Sequence, residues 1–148
     1  MHIDQATPSD IPTLSDLLSL LFAQEEEFAP NPEAQARGLR RIVDDPAVGA
    51  VLVARDADRI VGMVTLLFTV STALGERVAW LEDMVVSPQA RGAGVGAQLL
   101  AGAISFARSA GCRRITLLTD GSNESAQRFY ARQGFAQSGM VPMRLLLT

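Results

Sequence analysis

A glycine-rich loop, Arg91-Gly92-Ala93-Gly94-Val95-Gly96, lies between two apolar segments and limits the folds open to this chain. An apolar run from Trp80 to Val86 precedes it, and an amphipathic stretch follows it to Ala110. This order predicts a strand, a loop and a helix. Glycine lets another group come close to the backbone, and a helix N-terminus offers unpaired N–H groups and the positive end of its dipole. The loop is therefore a candidate seat for a phosphate group, with a purely packing role as the alternative.

Two phosphate-binding patterns overlap in this loop. The segment Gly92–Ala97 fits the dinucleotide pattern G-x-G-x-x-G/A, and Asp120 follows as a candidate ribose-binding acid. Arg91, Gly94 and Gly96 instead fit the pattern Arg/Gln-x-x-Gly-x-Gly/Ala. A dinucleotide domain carries its fingerprint on the first strand of a repeated βαβ array, whereas helical and hairpin segments precede this loop. Its position therefore disfavours an NAD-type oxidoreductase.

The composition predicts a single globular domain. The chain has 148 residues, 48% hydrophobic and 20% charged, with a net charge of −3, so residues 1–148 are expected to form one domain. The acidic balance argues against a nucleic-acid partner that needs a broad basic face. No leader-type segment or apolar run of ~20 residues is evident, so a cytoplasmic location without a membrane partner is expected. One cysteine and one histidine cannot make a disulfide or a zinc site, so no metal is predicted.

Local patterns predict an α/β protein of the α+β type with a mixed sheet. An antiparallel meander comes first, then one parallel crossover through the loop helix, then a last hairpin. Gly62, inside the third strand, indicates a bulge or a close backbone approach. About seven strands are predicted, at residues 1–5, 50–55, 60–70, 77–86, 114–119, 135–138 and 141–147, and four helices at residues 8–24, 32–43, 94–110 and 124–133.

A second motif, NESAQRFYARQGF, runs from Asn123 to Phe135. The loop Arg91–Gly96 precedes this motif. Because the two motifs occur in this order and at this separation, the chain resembles the GNAT family of N-acetyltransferases over most of its length, and most strongly from Leu81 to Phe135. The resemblance implies a seven-stranded mixed sheet with four helices. It also implies acetyl-CoA as the donor of the acetyl group.

The resemblance further implies where the donor binds. The strands before and after the loop helix would splay apart, and the pantetheine arm would pair with the exposed edge of the first strand. The cofactor-binding residues implied in this way are Met84, Val85 and Val86 for the arm, Arg91, Gly92, Ala93, Gly94, Val95 and Gly96 for the pyrophosphate, and Asn123 close to the arm.

Acetyl transfer to an amine needs a base for the amine and an acid for the leaving thiolate. Tyr130 is the candidate acid, because the resemblance places a tyrosine near the sulfur and a phenol is neutral at pH 7. Glu82 and Asp83 interrupt an apolar strand, where acids are costly unless partnered or functional. We predict that Glu82 is the base, through a water, and that Asp83 binds the amine. Strand alternation separates them unless a bulge intervenes, and a packing or salt-bridge role is the alternative for each of the three.

These residues predict an N-acetyltransferase that moves an acetyl group from acetyl-CoA to a primary amine by direct attack in a ternary complex, since no nucleophile for an acyl-enzyme is evident. The substrate is a small-molecule or peptide amine. Glu25–Glu27 form either a solvated face or an acidic rim that attracts a cationic amine. A non-catalytic acyl-CoA-binding module is the alternative function. By resemblance, a homodimer through residues 135–147 is also expected.

Overall fold

A computed structural model describes residues 1–25 and 28–148, so Glu26 and Glu27 of the predicted acidic rim lie outside the described residues. One five-stranded mixed sheet has the order β1-β2-β3-β4-β5. The first four strands form an antiparallel meander, and the fifth pairs parallel to the fourth. The strands are β1 (His2–Gln5), β2 (Gly49–Asp56), β3 (Arg59–Ser71), β4 (Glu76–Val86) and β5 (Ile115–Leu117).

The described residues form four α-helices around this sheet, as predicted: α1 (Ile11–Gln24), α2 (Pro32–Val43), α3 (Val95–Ser109) and α4 (Glu124–Arg132). Capping residues explain where two of them begin, because Asn31 accepts a hydrogen bond from the Ala34 N–H and Asn123 accepts one from the Ala126 N–H. The third helix begins differently, at Gly94, which has no side chain to cap it. Within the described residues, no helix is both long and apolar enough to cross a membrane.

The two faces of the sheet bury separate cores. On one face, α1 and α2 cover a cluster that includes Leu14, Leu39 and Met63. On the other face, α3 covers a cluster that includes Leu66 and Leu99. We call these the α1 face and the α3 face. Full burial of such side chains contributes roughly 1.5–3 kcal/mol each, so both faces hold β3 and β4 in a fixed position.

The two last predicted strands, 135–138 and 141–147, are not formed, so the described residues contain five strands where about seven were predicted. Their alternating apolar residues predict a preference for burial, but a strand also needs a neighbour for its backbone groups. Val141, Met143 and Leu147 are instead 79–95% exposed. Pro142 further removes one backbone donor from this segment.

Candidate active site

The fourth and fifth strands separate beyond Leu81. Their pairing runs from Ala79 opposite Ile115 to Leu81 opposite Leu117. Beyond this point β4 continues to Val86, while β5 has ended. The segment Glu82–Val86 therefore keeps one edge without β5 beside it, and the backbone groups of that edge are available to a ligand that carries amides.

A bulge lies in the same segment. Glu82 is opposite Thr65 and Val85 is opposite Met63, so β4 holds one more residue than β3 between these pairs. Asp83 has a φ of 54°, the left-handed conformation that glycine usually provides in such bulges. A non-glycine residue in this region costs on the order of 1 kcal/mol, and Asp tolerates it better than most residues.

The bulge changes which side of the strand each acid occupies. Leu81 and Met84 both pack on the α3 face, and Val85 packs on the α1 face. Two residues, Glu82 and Asp83, therefore separate two α3-face residues, where regular alternation allows one. We infer that both acids lie toward the α1 face, instead of on opposite faces.

The glycine loop forms a tight turn ahead of α3. Gly92 and Gly94 have φ values of 84° and 77°, and a Cβ on either would meet nothing within 4 Å, so the loop is open on its outer side. Val95 is buried in the α3-face core and anchors the helix start. A Cβ on Gly96 would lie 3.4 Å from the Phe129 ring, an ordinary contact distance, so the start of α3 lies next to α4.

A cleft of about 510 Å³ brings most of the predicted site residues together. Eight of them line it: Met84, Val85, Val86, Arg91, Gly92, Gly96, Asn123 and Tyr130. Ala93, Gly94 and Val95 lie in the adjoining loop, and Glu82 and Asp83 are outside the lining. A larger groove of about 660 Å³ between α1 and α2 contains none of the predicted residues.

Four lining residues were missed by sequence reasoning: Ser125, Ala126, Phe129 and Arg132. All four lie on α4, and their spacing of one, three and four residues marks one helix face. That spacing was readable in the second motif. Asn123 caps this helix and lines the cleft as well.

Tyr130 is half-buried between two aromatic rings. Its ring centroid is 5.1 Å from that of Phe129 and 5.7 Å from that of Phe135, both in edge-to-face arrangements. Burial raises the pKa of Tyr130 to about 12, because the phenolate would lose its hydration. The hydroxyl therefore stays protonated across the physiological range and can donate a proton or a hydrogen bond.

Asp83 is also half-buried, and two acids act on its carboxyl group. Burial raises the pKa of the Asp83 carboxyl to about 7, with further contributions from the negative charges of Glu82 and Glu25. Glu25 lies just beyond the end of α1, so the repulsion acts across the α1 face. A carboxyl with this pKa can exchange a proton near neutral pH. The neighbouring Glu82 is exposed.

Comparison with protein families agrees with this geometry. Residues 12–135 match the model of the acetyltransferase (GNAT) family. The chain belongs to the GNAT acetyltransferase family. Membership makes the chain an acyltransferase, and it favours the acyl-CoA pattern of the loop over the dinucleotide one. The sheet agrees, since it has a single parallel pair and not the parallel array of a dinucleotide-binding domain.

Individual relatives support the same family. An aminoalkylphosphonate N-acetyltransferase of Salmonella typhimurium is 32% identical over 137 residues, covering 93% of this GNAT chain and 86% of the relative. The uncharacterised N-acetyltransferase YhfO of Bacillus subtilis is 30% identical, covering 93% and 91%. The crystal structure of a Trypanosoma brucei acetyltransferase is 29% identical, covers 99% of both chains and has a TM-score of 0.72.

Proposed function

We propose that this chain works as a single domain that transfers an acetyl group from acetyl-CoA to a primary amine. The observation that carries the proposal is the open edge of β4, where Met84, Val85 and Val86 line the same cleft as Gly96 in the first turn of α3 and Tyr130. A ligand with a diphosphate at one end and amides along its length matches these groups in order.

The donor seat follows from the loop and the open edge. The first-turn N–H groups of α3 and the exposed guanidinium of Arg91 suit a diphosphate. The backbone of Met84 and Val86 suits the amides of the pantetheine arm. Val85 is buried on the α1 face, so its contribution to the cleft is through its backbone. Asn123 borders the arm where α4 begins.

In the proposed reaction, the acid and the base come from the two faces of the sheet beside this edge. Acetyl-CoA supplies a thioester, whose carbon–sulfur bond breaks as the amine nitrogen bonds to the carbonyl carbon. Tyr130, which packs on the α3 face, donates a proton to the leaving sulfur. A carboxylate on the α1 face removes the proton from the amine. Cys112 is no candidate nucleophile, because it follows the far end of α3, about 22 Å from the loop at 1.5 Å per residue.

The sequence predicts Glu82 as the base and Asp83 as the residue that binds the amine. We propose the exchanged assignment, with Asp83 as the base and Glu82 as the anchor of the amine. Asp83 carries the pKa near 7 that general-base catalysis at neutral pH requires. Glu82 is exposed and suits the electrostatic attraction of an ammonium group.

The acidic groups favour a cationic amine as the acceptor. Glu25, Glu82 and Asp83 lie in one region, because the charges of Glu25 and Glu82 both raise the pKa of Asp83. We therefore propose a small cationic amine or a peptide amine as the acceptor.

A panel assay tests the function. The purified chain is mixed with acetyl-CoA and an aminoalkylphosphonate, a diamine, an amino acid or a short peptide, and free thiol is measured. We expect thiol release with at least one cationic amine, and about 10²-fold slower turnover for Tyr130→Phe. Acetyl-CoA affinity, measured by calorimetry, should be almost unchanged in this variant. Binding of acetyl-CoA without thiol release from any amine would instead support the acyl-CoA-binding module.

We further propose that the chain forms a homodimer through residues 140–147. In an extended segment Val141, Met143, Leu145 and Leu147 share one side, and all four are 79–95% exposed. Such a contiguous apolar surface favours a protein partner, and a second copy offers the edge of β5 for strand addition. Sedimentation should show a dimer for the native chain and a monomer for the double variant Met143→Asp/Leu145→Asp. A native monomer at all concentrations would contradict the proposal.

A further inference from the structure

Thr65, in the middle of β3, has a side chain with 0% exposure. In the described part of the chain its Oγ1 has no hydrogen-bond partner. Buried hydroxyls are nearly always bonded, because an unpaired one loses its hydration without compensation. The hydroxyl of Thr65 therefore needs an explanation.

The register of the sheet shows which way this side chain points. Thr65 is opposite Val51 on one side and Glu82 on the other. Val51 belongs to the α1-face core. Residues directly opposite in neighbouring strands share a face, so Thr65 lies on the α1 face, between the core and the acids.

Within residues 1–25 and 28–148, no hydrogen bond contributes to the pKa shift of the Asp83 carboxyl. Asp83 follows Glu82 at the bulge and lies toward the same face as Thr65. The charged groups that act on Asp83 are Glu82 on its own strand and Glu25 beyond α1, and both are acids. A hydrogen-bond donor stabilises an ionised carboxylate beside two acids, and among the described residues the buried Thr65 hydroxyl is a donor without a partner on that face.

We propose that Thr65 is a positioning residue, whose hydroxyl donates a hydrogen bond to the Asp83 carboxylate when Asp83 is ionised. The proposal rests on the proposed function, in which Asp83 is the base. The hydrogen bond orients the carboxylate and favours its ionised form, while the hydroxyl keeps its proton. Thr65 thus acts on the reaction through Asp83, without touching the substrate.

The test is the pH dependence of kcat/KM for Thr65→Val and Thr65→Ser. Valine has almost the shape of threonine and lacks the donor. We expect the acidic limb of the profile for Thr65→Val to move to higher pH by about one unit, since a hydrogen bond to a charged group is worth roughly this shift. At pH 6 this is about a tenfold loss, whereas the plateau at high pH should stay close to that of the native chain. Thr65→Ser restores the donor and should restore the limb.

Thermal unfolding at pH 5 shows that the valine variant is folded. With Asp83 protonated, replacing an unpaired buried hydroxyl with a methyl group should leave Tm unchanged or raise it. An unmoved acidic limb in Thr65→Val would overturn the role of Thr65, and so would a limb that moves equally in Thr65→Ser.

A second variant separates this failure from failure of the proposed function. If Asp83→Asn retains native activity, Asp83 is not the base, and both assignments fall. If Asp83→Asn is inactive while Thr65→Val has the native profile, the function stands and the role of Thr65 alone is lost. Amine substrates with different pKa values should give the same limb, because the limb belongs to the enzyme group.

Discussion

The two halves of β4 differ in how their backbone groups are paired. Glu76–Leu81 is paired with β3 on one edge and, over its last residues, with β5 on the other. Val78, Ala79 and Leu81 are buried there, at 1–3% exposure. In this half, neighbouring strands pair with the backbone N–H and C=O groups, and the apolar side chains contribute to the core.

The second half, Glu82–Val86, has one open edge, a left-handed Asp83 and two carboxyl groups. Its apolar residues still anchor it, since Val85 packs on the α1 face and Met84 on the α3 face. The proposed site therefore lies where the backbone groups of β4 no longer pair with β5. Substitutions in the first half should therefore affect stability, and substitutions in the second half should affect activity.

The largest contrast is expected from Asp83→Asn. Asn adopts the left-handed conformation readily, so the bulge should persist, but an amide cannot remove a proton. We expect kcat/KM at pH 8 to fall by roughly 10²–10⁴-fold. The neighbour Glu82→Gln is the matched control and should mainly raise KM, because it weakens amine binding. Loss of turnover in Glu82→Gln with native turnover in Asp83→Asn would return the base to Glu82.

The paired half of β4 should respond in the opposite manner. Leu81 is 3% exposed, and Leu81→Ala leaves a cavity in the α3-face core. We expect the free energy of unfolding to fall by about 2–5 kcal/mol, measured by urea unfolding. The variant that remains folded at low temperature should keep the native pH dependence of kcat/KM. A shifted pH dependence would show that the two halves are coupled.

Sequence patterns predicted the helices and the close contact at Gly62 well. The helical spacing of apolar residues and the N-caps placed four helices within a few residues of their observed bounds. Gly62 behaved as predicted, because it lies beside a register shift and a Cβ there would come within 2.8 Å of Leu99 Cδ1. These features depend on local spacing and on burial, which a single sequence records.

The features of the candidate site and of the C-terminal segment were harder to predict from the sequence. The bulge at Asp83 has no sequence mark, because an aspartate in the left-handed region resembles any other aspartate in a strand. The direction of the Thr65 hydroxyl depends on cross-strand register, which the sequence does not record. The alternation in residues 141–147 predicted strands that lack a neighbour in the fold. Each miss concerns pairing between distant segments, where apolar periodicity carries no information.

The same Asp83→Asn variant should have a second effect, on stability. The folded pKa of about 7 lies above the usual value of 3.8, so the folded chain binds this proton more tightly than the unfolded chain. Protonation of Asp83 therefore contributes to the free energy of unfolding at low pH, and this contribution is lost as pH rises toward 7. Asp83→Asn should therefore raise the free energy of unfolding at pH 8, by at most about 4 kcal/mol, and the gain should shrink as pH falls toward 4. An equal gain at both pH values would argue against a raised pKa.

The smallest effect tests the loop with one substitution made at two glycines. Gly94 has a φ of 77°, and a Cβ there would meet no neighbour, so Gly94→Ala costs only backbone conformation, about 1 kcal/mol. Gly38, inside α2, also has open space around its Cα, and there alanine favours the helix by roughly 1 kcal/mol. We expect thermal unfolding to show a lower Tm for Gly94→Ala and a higher Tm for Gly38→Ala. Acetyl-CoA affinity should change only in the first variant, since its added methyl group lies at the proposed diphosphate seat. Equal affinities in both variants would place the diphosphate away from the N-terminus of α3.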